Sequence, residues 1–303
     1  MKNMLVLLGA WCIVALSCTK EKTDYHPELM PGTPGNSAFS DAASASVGGY
    51  RIHVQTSNGT LHEGYNDLRV LITDSEGNAV AAVPDVTLRP IGTAASGRQG
   101  TAPHPEALTY LPDSGYHRGY AVFPAISGDR YTWTLAVRFT AAGQPYGASL
   151  PVAVGPQPDA NPGMAAFTGS DGADYLIALV APQQPQVGEN SLIAGIYRRV
   201  TGPTGQGNDS WTYTAAEGYT LLLDPRMPEP SMGNHSSPNN VDLTQGDDGL
   251  YHGTVNYTMT GNWTLNFILL GPDGRIIKGT EVPPDFTPGV AGEKSELHID
   301  IVF

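Results

Sequence analysis

Apolar and polar residues alternate along most of the chain beyond residue 47, which is the period of a half-buried β-strand. Val255, Tyr257 and Met259 fall on one face, and Thr254, Asn256 and Thr258 on the other. Trp263, Leu265 and Phe267 repeat the alternation, as do Trp133, Leu135, Val137 and Phe139. Shorter runs predict strands over 51–56, 68–73, 175–180, 192–199 and 219–223, with hairpin turns at 74–78 and 272–274. Short strands separated by frequent turn signals predict an all-β chain built from immunoglobulin-like sandwiches.

Two stretches break this pattern and divide the chain. Residues 18–46 are rich in Pro, Gly, Ser, Ala and Asp without hydrophobic period and read as a flexible tether. Residues 156–172 read as a linker between a first sandwich, 47–155, and a second, 173–303. The halves share a frame near their ends. Ser114-Gly115-Tyr116 leads into a strand, then Gly128, then Trp133-Thr134-Leu135. Asp248-Gly249-Leu250-Tyr251 leads into a strand, then Gly261, then Trp263-Thr264-Leu265. The order predicts two diverged copies of one unit in tandem.

Composition agrees and narrows the function. Gly 36 and Pro 25 in 303 residues, with only 15% charged residues, exclude a helical bundle or coiled coil. The 40% hydrophobic content is too high for a disordered chain. A formal charge of −13 gives no support to nucleic-acid binding.

The first residues are an address. Met1-Lys2-Asn3 precedes an apolar run from Met4 to Leu16, too short to span a bilayer, and the run ends at Ser17-Cys18. Residues 1–17 resemble a bacterial lipoprotein signal peptide, which implies lipidation of Cys18 and anchoring in the cell envelope, in the outer membrane. Cleavage there removes Cys12 and leaves the exported sandwiches without a thiol. They then have no disulfide, no Cys-based zinc site and no cysteine nucleophile. G-x-S-x-G, H-E-x-x-H, Walker and EF-hand patterns are also missing, so the chain reads as a non-enzyme.

One segment carries distinctive chemistry. Asp224 to Pro238 places Met227, Met232 and His235 in a proline-rich, polar stretch that reads as a loop. Thioether and imidazole suit soft Cu(I), and thioethers survive an oxidising compartment and bind without losing a proton. An extended polyproline path from Met227 to Met232 would span roughly 15 Å, too far to share one ion, so a site requires the chain to fold back. Pro230, Ser231 and Gly233 are turn formers that allow it. Met259 is either a core residue, by its alternation, or a fourth donor reached from the neighbouring turn. The competing reading is that these methionines clasp the end of the sandwich.

The second half resembles a YtkA-like domain over residues 173–272. The resemblance rests on the loop from Met227 to His235, the turn and strand from Gly249 to Tyr257, Met259-Thr260-Gly261, and Trp263-Thr264-Leu265. It implies a small exported immunoglobulin-like sandwich associated with copper handling. Copper would be the cofactor, and an envelope or metal-handling protein the partner besides the membrane. The first half shares the frame only; Ile126 stands near the Met259 position and the loop methionines are missing. The alternative function is a non-metal module for an envelope partner or a glycan, presenting Trp211, Tyr213 and Tyr219 on one sheet.

Overall fold

The computed structural model describes residues 39–80, 83–159, 161–202 and 210–303. Residues 1–17, which read as a signal peptide, Cys18 and residues 19–38 of the stretch that reads as a tether lie outside the described residues. The described chain is all-β, as the alternation predicts.

The first half opens with β1 (Phe39–Val47), β2 (Tyr50–Ser57), β3 (Leu61–His62) and β4 (Gly64–Thr73). There follow β5 (Thr87–Ala94), β6 (Gln99–Thr101), β7 (Thr109–Leu111) and β8 (Tyr116–Phe123). It ends with β9 (Tyr131–Ala141), β10 (Gln144–Val152) and β11 (Val154–Gly155). One layer runs β1-β2-β4-β8-β7 and the other β10-β9-β5-β6. Ile52, Val54, Leu68 and Val70 from the first layer meet Leu88, Leu135 and Val137 from the second in one core.

The second half holds β12 (Met164–Thr168), β13 (Asp174–Ala181), β14 (Gly188–Thr201) and β15 (Trp211–Ala215). Next come β16 (Thr220–Met227), β17 (His235–Ser236), β18 (Val241–Gln245) and β19 (Tyr251–Tyr257). The last are β20 (Asn262–Leu270), β21 (Ile276–Lys278) and β22 (Leu297–Val302). Strand β14 pairs with β13, β15 and β19, whereas β16 and β20 pair with each other and carry β17, β21 and β22 on their outer edges. Strand β18 pairs with both β19 and β16, joining the layers around a core of Tyr251, Tyr257, Trp263, Leu265 and Phe267.

The register shows how alike the halves are. Gly64 lies opposite Phe123, and Gly188 opposite Tyr257. Both glycines have positive φ, 86° and 112°. Two residues on, Asn66 Oδ1 accepts from His62 N while its amide donates to the His62 and Gly64 carbonyls. Asn190 does the same with Gln186 and Gly188. In the other layer Pro90 lies opposite Leu135, and Pro225 opposite Leu265. Each indole also donates to a carbonyl at 2.9 Å: Trp133 to Ala125 and Trp263 to Met259. Ala125, one residue before Ile126, therefore takes the place of Met259.

Strand pairing begins earlier than the sequence pattern suggests. Strand β1 lies, all but Val47, within the stretch that reads as tether, and β12 within the stretch that reads as linker. Their sequences, FSDAASASV and MAAFT, are mostly small residues with little hydrophobic contrast. Backbone pairing with β2 and β13 makes them strands, a cause that period counting does not see.

Contacts between the halves are tight. Val122, Leu176, Ala178 and Tyr197 form a small shared core with Tyr65, Tyr120 and Tyr213. Trp211 of β15 pairs in parallel with Gly100 of β6. A Cβ on Gly100 would sit 2.2 Å from the Trp211 ring, so glycine is what lets the indole lie flat on the first half.

Candidate functional site

The predicted donors stand at one end of the second sandwich. Met227 is the last residue of β16, not a loop residue, because the strand continues through Pro225. The Pro225 carbonyl accepts from Ser237 N beside the short β17. Met227 is 2% exposed and belongs to the core. Its partner across the β16–β17 pair is His235, and cross-strand partners project to the same face.

Between them the chain folds back as a shared site requires. Met232 N donates to the Glu229 carbonyl at 2.9 Å, and His235 N to the Met232 carbonyl at 3.2 Å. Gly233 and Asn234 take positive φ of 64° and 52°, the left-handed conformation that glycine and asparagine tolerate best. Met232 packs half-buried against the core. The turn thus replaces the extended polyproline path.

The opposite wall is the turn before β20. A Cβ on Gly261 would lie 2.7 Å from Met227 Cε, so the methyl end of Met227 rests against this glycine. His235 Nε2 and the Thr258 hydroxyl share a hydrogen bond of 2.9 Å, which ties β17 to the residue before Met259. The His235 ring meets Trp263 edge-on at 6.1 Å between centroids. Met259 is 38% exposed and its carbonyl holds the Trp263 indole, so it is a turn residue rather than the core residue that alternation allows. Met227, His235, Met259 and Trp263 are joined by this chain of contacts, with Met232 on the connecting turn.

Among the described residues, two oxygens in the same loop lack partners. Glu229 Oε2 and Asn234 Oδ1 are buried without a hydrogen bond. A buried unpaired acceptor costs about 1–3 kcal/mol, more for a charged one, and a cation or donor nearby would relieve it. Among the described residues no group of three or more His, Cys, Asp or Glu is arranged to hold a metal, so a site here depends on thioether sulfur.

The aromatic residues named for the alternative function are engaged elsewhere. Trp211 is 5% exposed against Gly100, and Tyr213 packs on the shared core between the halves. The Tyr219 hydroxyl meets that of Tyr175 at 3.0 Å. Sequence periodicity had no means of seeing these contacts, because their partners lie in distant segments. The G-x-N signals at Gly64-Tyr65-Asn66 and Gly188-Glu189-Asn190 were present in the sequence and would have strengthened the duplication.

No family model and no curated protein matches the chain. Among solved structures it matches a DUF4785 family protein from Legionella pneumophila with 10% identity and a TM-score of 0.25. The match covers 75% of this chain and 55% of that one, little more than half its length. At this TM-score the likeness carries no functional argument.

Proposed function

We propose that this chain is a lipid-anchored bacterial envelope protein, held in the outer membrane through Cys18, whose second sandwich binds or passes Cu(I). The reading includes the YtkA-like character of residues 173–272. Met227, Met232 and His235 are the donors, with Met259 completing the set from the facing turn. One observation carries the reading: Met227 and His235 are cross-strand partners beside Trp263, joined by a turn that bears Met232. Soft sulfur and imidazole are the donors that a cuprous ion prefers. The orphan Glu229 oxygen in the same loop supplies negative charge that suits a cation.

The test is anaerobic titration of the purified protein with Cu(I) against a competing chelator. A Met227→Leu, Met232→Leu, His235→Gln variant keeps the side-chain volumes and removes the donors. The parent is expected to take one equivalent tightly, with altered Trp263 fluorescence, and the variant to lose about tenfold or more, a 1.4 kcal/mol difference. Equal weak binding by both would remove the copper reading.

A further inference from the structure

A cleft of about 410 Å³ with mixed polar and apolar walls opens between the halves, away from the methionines. Its volume falls in the range of about 300–1,000 Å³ usual for small-molecule sites. Phe39, Thr60, His62 and Tyr65 of the first half line it with Gln157, while Gln183 and Gln184 come from the segment after β13.

Two aromatic rings at its edge are already fixed. Phe39 is held by the Arg69 guanidinium, 3.4 Å from the ring centroid. Tyr65 stacks on Tyr120 at 5.5 Å with an interplanar angle of 27°. Rings immobilised before binding present apolar surface at little entropic cost.

Charge in the cleft is balanced. Among the described residues Asp67 is the only acidic one lining it, and Arg118 holds both its oxygens, at 3.1 and 3.2 Å. Among the described residues no lysine or arginine lines the cleft, so it offers no cationic side chain to a phosphate or carboxylate. His62 has both ring nitrogens engaged, by the Thr60 hydroxyl and the Pro156 carbonyl, which removes it as a metal ligand.

What remains is neutral hydrogen-bonding capacity. Gln183 and Gln157 each use an amide N–H on a backbone carbonyl, of Val180 and Glu63, and keep their amide oxygens as acceptors. Gln184 is exposed and adds a complete amide. Acceptors and donors without net charge, beside fixed aromatic faces, match a ligand with many hydroxyls and exposed C–H faces.

We propose that this cleft binds a neutral oligosaccharide, which would contact both halves at once. It is independent of the copper reading and uses none of its residues. The experiment is calorimetric titration of the full protein with maltose, cellobiose and N,N′-diacetylchitobiose as probes, without metal. At least one is expected to bind in the millimolar range or tighter. The Gln183→Ala/Gln184→Ala variant, which changes only exposed side chains, is expected to weaken it by about tenfold with an unchanged melting temperature. Binding of none of the three, or equal affinity in the double variant, overturns the proposal. The Met227→Leu, Met232→Leu, His235→Gln variant is expected to bind the saccharide like the parent, and loss there would also overturn it.

Discussion

At one cross-strand position the two halves differ in a way that the rest of their shared register makes plain. In the first half β5 and β6 bring Gly92 opposite Gly100. In the second, β16 and β17 bring Met227 opposite His235. The positions correspond because Pro90 and Pro225, two residues earlier, face the leucines of the two Trp-Thr-Leu strands. The Pro90 and Pro225 carbonyls also accept from Ala102 N and Ser237 N, one on each neighbouring segment. The glycine pair serves packing: Trp133 lies over Gly92 and Trp211 over Gly100. Where one copy uses the absence of side chains to dock indoles, the other fills the same place with thioether and imidazole. A common frame therefore allows an interface in one half and a candidate ligand site in the other.

The comparison breaks most severely at Met227. Met227→Ala removes a buried side chain between β16 and Gly261 and is expected to cost about 2–5 kcal/mol, read as a lower urea midpoint. Met227→Leu should stay within about 1.5 kcal/mol, since volume is conserved. A neutral alanine variant would show that the side chain does not fill the end of the core.

The reciprocal change tests the other copy. A Cβ at Gly92 would lie 2.8 Å from the Trp133 ring, so Gly92→Met overpacks the site. Its expected cost is about 1–3 kcal/mol by the same measurement. Stability equal to the parent would mean that the glycine is not needed under the indole.

Asn66 and Asn190 sharpen the comparison instead. Each makes three hydrogen bonds to the turn before its strand, but Asn66 is buried and Asn190 only half-buried. Asn66→Ala leaves backbone groups without partners and is expected to cost about 1–2 kcal/mol. Asn190→Ala should cost less, because water can replace the lost bonds. Equal losses would contradict the difference in burial.

The smallest effect is a pH dependence confined to the first half. Burial is the main cause holding His104 and His117 below the ordinary value of 6.5. The His117 Nε2 also bonds to the Val83 carbonyl. The folded protein binds protons at these imidazoles less readily than the unfolded chain, which takes them up near pH 6.5, so stability is present above that pH and falls below it. Thermal melts should decline gently as pH drops below 6.5, and His117→Gln should flatten part of that slope. A melting temperature that is flat or rises on acidification would contradict the assignment.

Alternation of side chains determined the strand character of the chain, because a pleated strand sends neighbouring residues to opposite faces wherever it is placed. The repeated Trp-Thr-Leu strands and their glycine turns also made the shared frame of the two halves legible. Tertiary structure decided the rest. Small-residue segments such as Phe39–Val47 became strands only through the backbone of their partners. Met227 reads as a loop residue because its stretch is polar and proline-rich, yet pairing with β20 carries the strand past Pro225 into the core. The contact of Met227 with Gly261 and the gathering of Tyr65, Gln183 and Gln184 around one cleft join positions far apart in the chain. Local periodicity encodes which way a side chain faces; which distant side chain it meets depends on how the layers close.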